Sequence, residues 1–195
     1  MRDDSLRRAT QDAANRKKPG YIVDSILPIE EALRRFRRGL EQPPDTLSGG
    51  APSLKALIGA FVHSLERRDS SALARLLVSR AEFAYLVYPH TPYTQPPYTQ
   101  DPALVWTRIV LEGSSGARRL WQRFSGRTLG YRGYLCPAPP ERQGPNRIWS
   151  GCRLLLAPSS EGRASNDSTV VGIRLFGPIL ERAGRYKFVS LANDL

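Results

Sequence analysis

Two histidines, His63 and His90, are the side chains able to exchange a proton near neutral pH at an ordinary pKa. His63 falls beside the apolar face of a predicted helix, where a structural role is expected. His90 sits within Tyr88-Pro-His-Thr-Pro-Tyr93, close enough to tyrosines for a base and an oxyanion donor to meet. The sequence offers this histidine no obvious acid. The four strands expected near the C-terminus contain no Asp or Glu, so a sheet-borne carboxylate pair for acid–base work is not expected. No Gly-x-Ser-x-Gly, phosphate loop, Gly-x-Gly-x-x-Gly or His-Glu-x-x-His occurs. Neither C-x-x-C nor a Cys/His cluster is present, so no metal and no cofactor is expected.

The two cysteines, Cys136 and Cys152, make a second kind of chemistry available. Antiparallel partners across a hairpin have a constant sum of residue numbers. Setting Cys136 opposite Cys152 centres the loop on Gly144-Pro145, inside a Pro/Gly/Asn-rich stretch where a turn is wanted, and sets Tyr134 opposite Leu154. This register predicts a disulfide, which by loop-closure entropy contributes about 3 kcal/mol. With it goes the expectation of an exported protein, secreted or periplasmic, although the given chain shows no signal peptide at its start.

The strongest candidate for a binding site is the stretch Tyr85-Leu-Val-Tyr-Pro-His-Thr-Pro-Tyr-Thr-Gln-Pro-Pro-Tyr98. Proline fixes φ and removes donors, so Pro89 to Pro97 reads as neither helix nor central strand. Tyrosine rings need apolar cover and a partner for the hydroxyl, which suits an ordered loop lying against a cleft. Tyr85, Tyr88, His90 and Tyr93, together with Trp106 and Trp121 from the following helix, are the candidate ligand-binding residues.

The surrounding elements follow from periodicity. Residues 1–20 are charged and read as a disordered tail, and 21–41 as an N-terminal extension. Within the extension Pro28 opens a helix with Ile29, Leu33, Phe36 and Leu40 on one stripe, expected to pack on the main domain. Residues 42–52 have linker composition, and 53–195 form the main domain. Leu54, Leu57, Ile58, Phe61, Val62 and Leu65 predict one helix, and Leu73, Leu76 and Leu77 a second, capped by Asp69 or Ser70. Glu82 to Tyr88 alternates and predicts a strand. Leu104 to Leu111 is apolar nearly all round and predicts a buried helix, with Gly113-Ser-Ser-Gly116 breaking or kinking it. Leu129–Cys136, Arg147–Ala157, Thr169–Phe176 and Arg185–Ala192 then predict a four-stranded antiparallel meander. Helices first and sheet last is an α+β arrangement, with helices on one face of a curved antiparallel sheet.

The chain of 195 residues carries a formal charge of +11, with 25 arginines against 4 lysines. The charges are scattered singly or in pairs rather than massed, so nucleic acid is not favoured as a partner, and a solvated basic surface is expected. No apolar run approaches the roughly 18 residues of a transmembrane helix.

The order of helices Ser53–Arg68 and Ser71–Arg80, strand Glu82–Tyr88, a further helix and a meander closing on Tyr186-Lys-Phe-Val-Ser-Leu-Ala-Asn193 resembles the cone-shaped nuclear-transport-factor-two-like superfamily, with its ketosteroid-isomerase and SnoaL-like members. The resemblance covers about Pro52 to Leu195. It implies a curved sheet and helices enclosing an apolar pocket, used by enzymes, by non-catalytic binders and by dimerisation modules. Tyr85, Tyr131 or Tyr134 stands where the isomerases have a pocket tyrosine, and no strand acid stands for their base. The expected function is therefore non-catalytic binding of a small apolar or aromatic ligand, or of a protein, with a homodimer left open. A cofactor-free isomerase, dehydratase or cyclase using His90 is the alternative. Anion or nucleic-acid binding by the basic surface is a third.

Overall fold

The computed structural model describes residues 27–40, 43–157 and 170–195. Predicted features on the N-terminal tail and in the first part of Thr169–Phe176 lie outside these residues. The chain is an α+β protein, with helices packed against two antiparallel sheets. Its helices are α1 (Ile29–Phe36), α2 (Leu54–Glu66), α3 (Ser70–Arg75), α4 (Arg80–Glu82) and α5 (Pro102–Phe124). Its strands are β1 (Tyr131–Leu135), β2 (Glu141–Gln143), β3 (Asn146–Trp149), β4 (Arg153–Leu156), β5 (Val171–Ile173), β6 (Ile179–Arg182) and β7 (Arg185–Phe188).

The expected single meander is two sheets, ordered β1-β4-β5 and β2-β3-β6-β7. The predicted strand Arg147–Ala157 breaks into β3 and β4 at Ser150-Gly151, where Gly151 takes φ +71°. That left-handed residue turns the chain from one sheet into the other. The β2–β3 hairpin closes through Gly144-Pro145 between Gln143 and Asn146, and Gly144 at φ +60° suits the first loop position of such a turn. Across β1 and β4, Tyr134 faces Leu154 as the cysteine register requires, and Cys136 is bonded to Cys152.

A second correction concerns Glu82 to Tyr88. This predicted strand, one of the segments carrying the family resemblance, is helical throughout. It begins in α4, continues as a π-helical turn over Phe83–Val87 and ends in a 3-10 turn over Tyr88–His90. Ser79-x-x-Glu82 starts it with a reciprocal capping box: Glu82 N donates to Ser79 Oγ (3.1 Å) and Ser79 N to Glu82 Oε2 (2.7 Å). Burial on nearly every side explains the misleading pattern, because Phe83, Ala84, Leu86, Val87 and Tyr88 are all buried. Proline-bearing 3-10 turns also occupy Tyr88–His90 and Pro92–Thr94, with proline where a helical turn tolerates it, so the tyrosine–proline segment is not devoid of helix.

The four-stranded sheet is covered on both faces, and its alternation divides the core. Ile179 and Phe188 point towards α2, joining Leu57, Phe61 and Leu65. There the Phe61, Phe176 and Phe188 rings meet edge-on or tilted with centroids 4.7–5.4 Å apart. Leu180 points the other way, into a cluster with Phe36, Phe83, Tyr88 and Val105. Phe36 brings α1 into this cluster, its ring edge-on to Phe83 at 5.8 Å. The segment with linker composition is also built in: Leu47 is buried, and Ala51 exchanges both backbone hydrogen bonds with Tyr186.

Helix α5 is continuous through Gly113-Ser-Ser-Gly116, not broken there. The glycines allow close approach instead. A Cβ on Gly116 would lie 1.8 Å from the Leu191 carbonyl oxygen, and Asn193 Nδ2 donates to Gly116 O at 3.0 Å. The expectation of full burial over Leu104–Leu111 also fails: Leu104 and Leu111 are exposed, while Val105 is buried.

Candidate functional site

Helix α5 forms one wall of a long trough. The opposite wall is α3 with the segment Leu76–Val78, which runs beside β7 and exchanges backbone bonds with Phe188. The floor is the chain leaving β7, Val189 to Leu191. On α5 the positions Trp106, Ile109, Val110, Gly113, Ala117 and Trp121 follow helical spacing, so one stripe of the helix faces the trough. The main cavity has a volume of about 1030 Å³ and reaches Trp106. A smaller cavity of about 570 Å³ reaches Trp121 and shares Ala74, Leu77, Ala117 and Leu191 with it. Side chains at the centre are small, which is why the helices leave a hollow there. Trp106 and Trp121, two of the predicted binding residues, are thus brought to opposite ends of one groove.

The groove also borders a buried ion pair. Lys187 lies on β7 opposite Leu180, so the alternation that sends Phe188 towards α2 sends Lys187 to the other face, towards α4. Its Nζ donates to both Glu82 oxygens at 2.9 Å, and the two side chains are 5% and 2% exposed. Glu82 Oε1 further accepts from Ser48 N at 2.6 Å, and Oε2 from Ser79 N. The carboxylate thereby ties together three pieces: the Ser48 loop, its own turn at α4 and β7. Sequence reasoning missed this pair, since Glu82 was assigned to a strand and Lys187 passed as a single charge. The signal that could have found it is the Ser-x-x-Glu capping box.

The other predicted site residues disperse. Tyr88 is fully buried in the core, and its hydroxyl donates to Gln100 O. Burial, with the Asp101 charge, pushes its pKa up to about 12, so it is held as a neutral donor. Tyr85 lies under the Arg37 guanidinium, 4.4 Å from the ring centroid, while Arg37 donates to Ala84 O. Tyr93 lines a separate cleft of about 560 Å³ beneath the proline-rich loop, with Arg108, Glu112 and Glu141. His90 packs on the Gly144 turn and lines none of these cavities. Burial and the neighbouring Arg182 hold its pKa below the usual imidazole value.

One buried carboxylate does occur on the sheets, outside the four predicted strands. Strand β6, which the sequence pattern missed, carries Glu181. Burial alone would raise its pKa, but hydrogen bonds from Arg147 and Gly184 N outweigh that and lower it. Arg147 and the turn occupy this carboxylate, and no groove residue contacts it through a hydrogen bond. Among the described residues no cluster of three or more His, Cys, Asp or Glu is placed to hold a metal ion, and no helix is long and apolar enough to cross a membrane.

Comparison of the chain with protein-family models, with curated proteins and with solved structures returned no match.

Proposed function

We propose that this protein is a non-catalytic, exported binding domain whose groove along α5 takes an elongated, largely apolar small molecule. The observation that carries the reading is the trough itself, about 1030 Å³ and continuous with a second hollow, walled by small and aliphatic side chains and bounded by two tryptophans. The larger hollow lies at the upper end of the small-molecule range, and predominantly apolar walls are the usual makeup of such pockets. The charged pair at its border is consumed internally, leaving no proton-transfer group aimed at a ligand. His90, the base required by the isomerase-type alternative, stands apart from the groove. Export is supported by the Cys136–Cys152 bond, which persists in oxidising compartments.

Two of the three tryptophans line the groove, so intrinsic fluorescence reports occupancy directly. Titration with dodecanol is expected to shift and saturate the emission. Ala74→Phe places an aromatic ring where the two cavities meet, at an exposed position of α3, and is expected to weaken binding at least tenfold with unchanged circular dichroism. Unaltered binding by that variant, or no saturable response in the wild type, would refute the groove as the site.

A further inference from the structure

Resting on that reading, we propose that the groove's ligand is a single-chain amphiphile with an anionic head, of the long-chain carboxylate class, and that Arg118 holds the head. The two ends of the groove differ in the state of their charges. At the Trp106 end the nearby charges, Glu82 and Lys187, satisfy one another and are sealed from solvent. At the Trp121 end the wall carries Ser70, Arg118 and Gln122 beside apolar Leu73, Leu77 and Leu191. Serines line the main cavity as well, so what sets the Trp121 end apart is an arginine that makes no ion pair among the described residues, the group an amphiphile's anionic head requires.

The charge at that end is positive and uncommitted. Arg118 makes no ion pair among the described residues, and α5 contains no acid from Gly113 to Phe124. The nearest acid in sequence to the opposite wall, Asp69, is turned to the Ala72 N–H and the Ser71 hydroxyl, both at 2.8 Å. Arg75 on the same wall lines the main cavity instead; its Nη1 donates to Ser71 Oγ at 3.3 Å and its charge acts on Asp69. A carboxylate accepts in bidentate fashion from a guanidinium, and Ser70 and Gln122 supply further donors. From Arg118 to Trp106 the helix rises roughly 18 Å at 1.5 Å per residue, room for an extended tail with its end among the aliphatic side chains.

The test compares dodecanoate, dodecanol and dodecyltrimethylammonium, each below its micellar concentration, binding to the full chain by tryptophan fluorescence and calorimetry. Dodecanoate is expected to bind about tenfold tighter than dodecanol, and the cationic amphiphile weakest. Arg118→Gln is expected to abolish the preference for the acid by weakening dodecanoate about tenfold, and Arg118→Lys to retain most of it, both with unchanged circular dichroism. Equal affinity for acid and alcohol, or a preference that survives Arg118→Gln, overturns the anionic head while the apolar groove stands. Binding of none of the three overturns both.

Discussion

Replacing Lys187 by Met tests whether the Glu82–Lys187 pair holds the groove's border together. Methionine keeps the length of the side chain and removes the charge. Glu82 would then remain 2% exposed with only the Ser48 and Ser79 amides as donors. Removing one partner of a buried, hydrogen-bonded pair costs about 3–5 kcal/mol, most of it the desolvation of the charge left behind. For a chain of this size each kcal/mol corresponds to about 2–4 °C in Tm, so a fall of roughly 6–20 °C is expected. The assay is urea unfolding with the disulfide intact, followed by circular dichroism, on Lys187→Met, Glu82→Gln and the double variant. Because the charge left behind causes the loss, the double variant should cost at least about 2 kcal/mol less than the sum of the singles. Additive effects, or a Lys187→Met cost below about 1 kcal/mol, the scale of an exposed pair, would refute the reasoning.

Three further outcomes follow from local geometry. Gly116→Ala forces a Cβ to within 1.8 Å of the Leu191 oxygen and should destabilise by about 1–3 kcal/mol in urea unfolding, whereas Gly113→Ala, 3.5 Å from Leu191 N, should be neutral or stabilising by up to about 1 kcal/mol. Reducing the Cys136–Cys152 bond should lower stability by about 3 kcal/mol, measured on alkylated against oxidised protein; unreduced protein from its native compartment should show no alkylatable thiol by intact mass. The pKa of His90 is depressed on folding, so the unfolded chain takes up its proton first, near about pH 6.5. Its stabilising contribution is then present above that pH and lost as pH falls towards the folded value, and His90→Gln should flatten the dependence of Tm on pH between 7 and 5.

Local periodicity was enough for α1 and α2, because each buries one face and exposes the other, while β1 followed from the cysteine register. The apolar stripe through Phe36, the leucines of α2 and the cysteine register all read directly from spacing. It misled where burial is complete. Phe83 to Tyr88 is enclosed on nearly all sides, with Tyr85 alone half-buried, so no period survived to separate helix from strand, and only the capping box at Ser79 retained the helical signal. Strand β6 escaped for a related reason: its Ile-Leu-Glu-Arg has both faces covered and a buried Glu181, so polarity no longer tracks exposure.

The residues alone determined an α+β chain and a disulfide between Cys136 and Cys152. These depend on neighbours along the chain or on composition. Only the tertiary structure decided that Trp106 and Trp121 share a groove while Tyr85, Tyr88 and His90 do not, and that Glu82 and Lys187 meet across 105 positions of sequence. Such encounters depend on how distant segments pack, as where Gly116 lets α5 approach the Leu191 carbonyl that floors the groove. That contact leaves no trace in the spacing of residues along either segment.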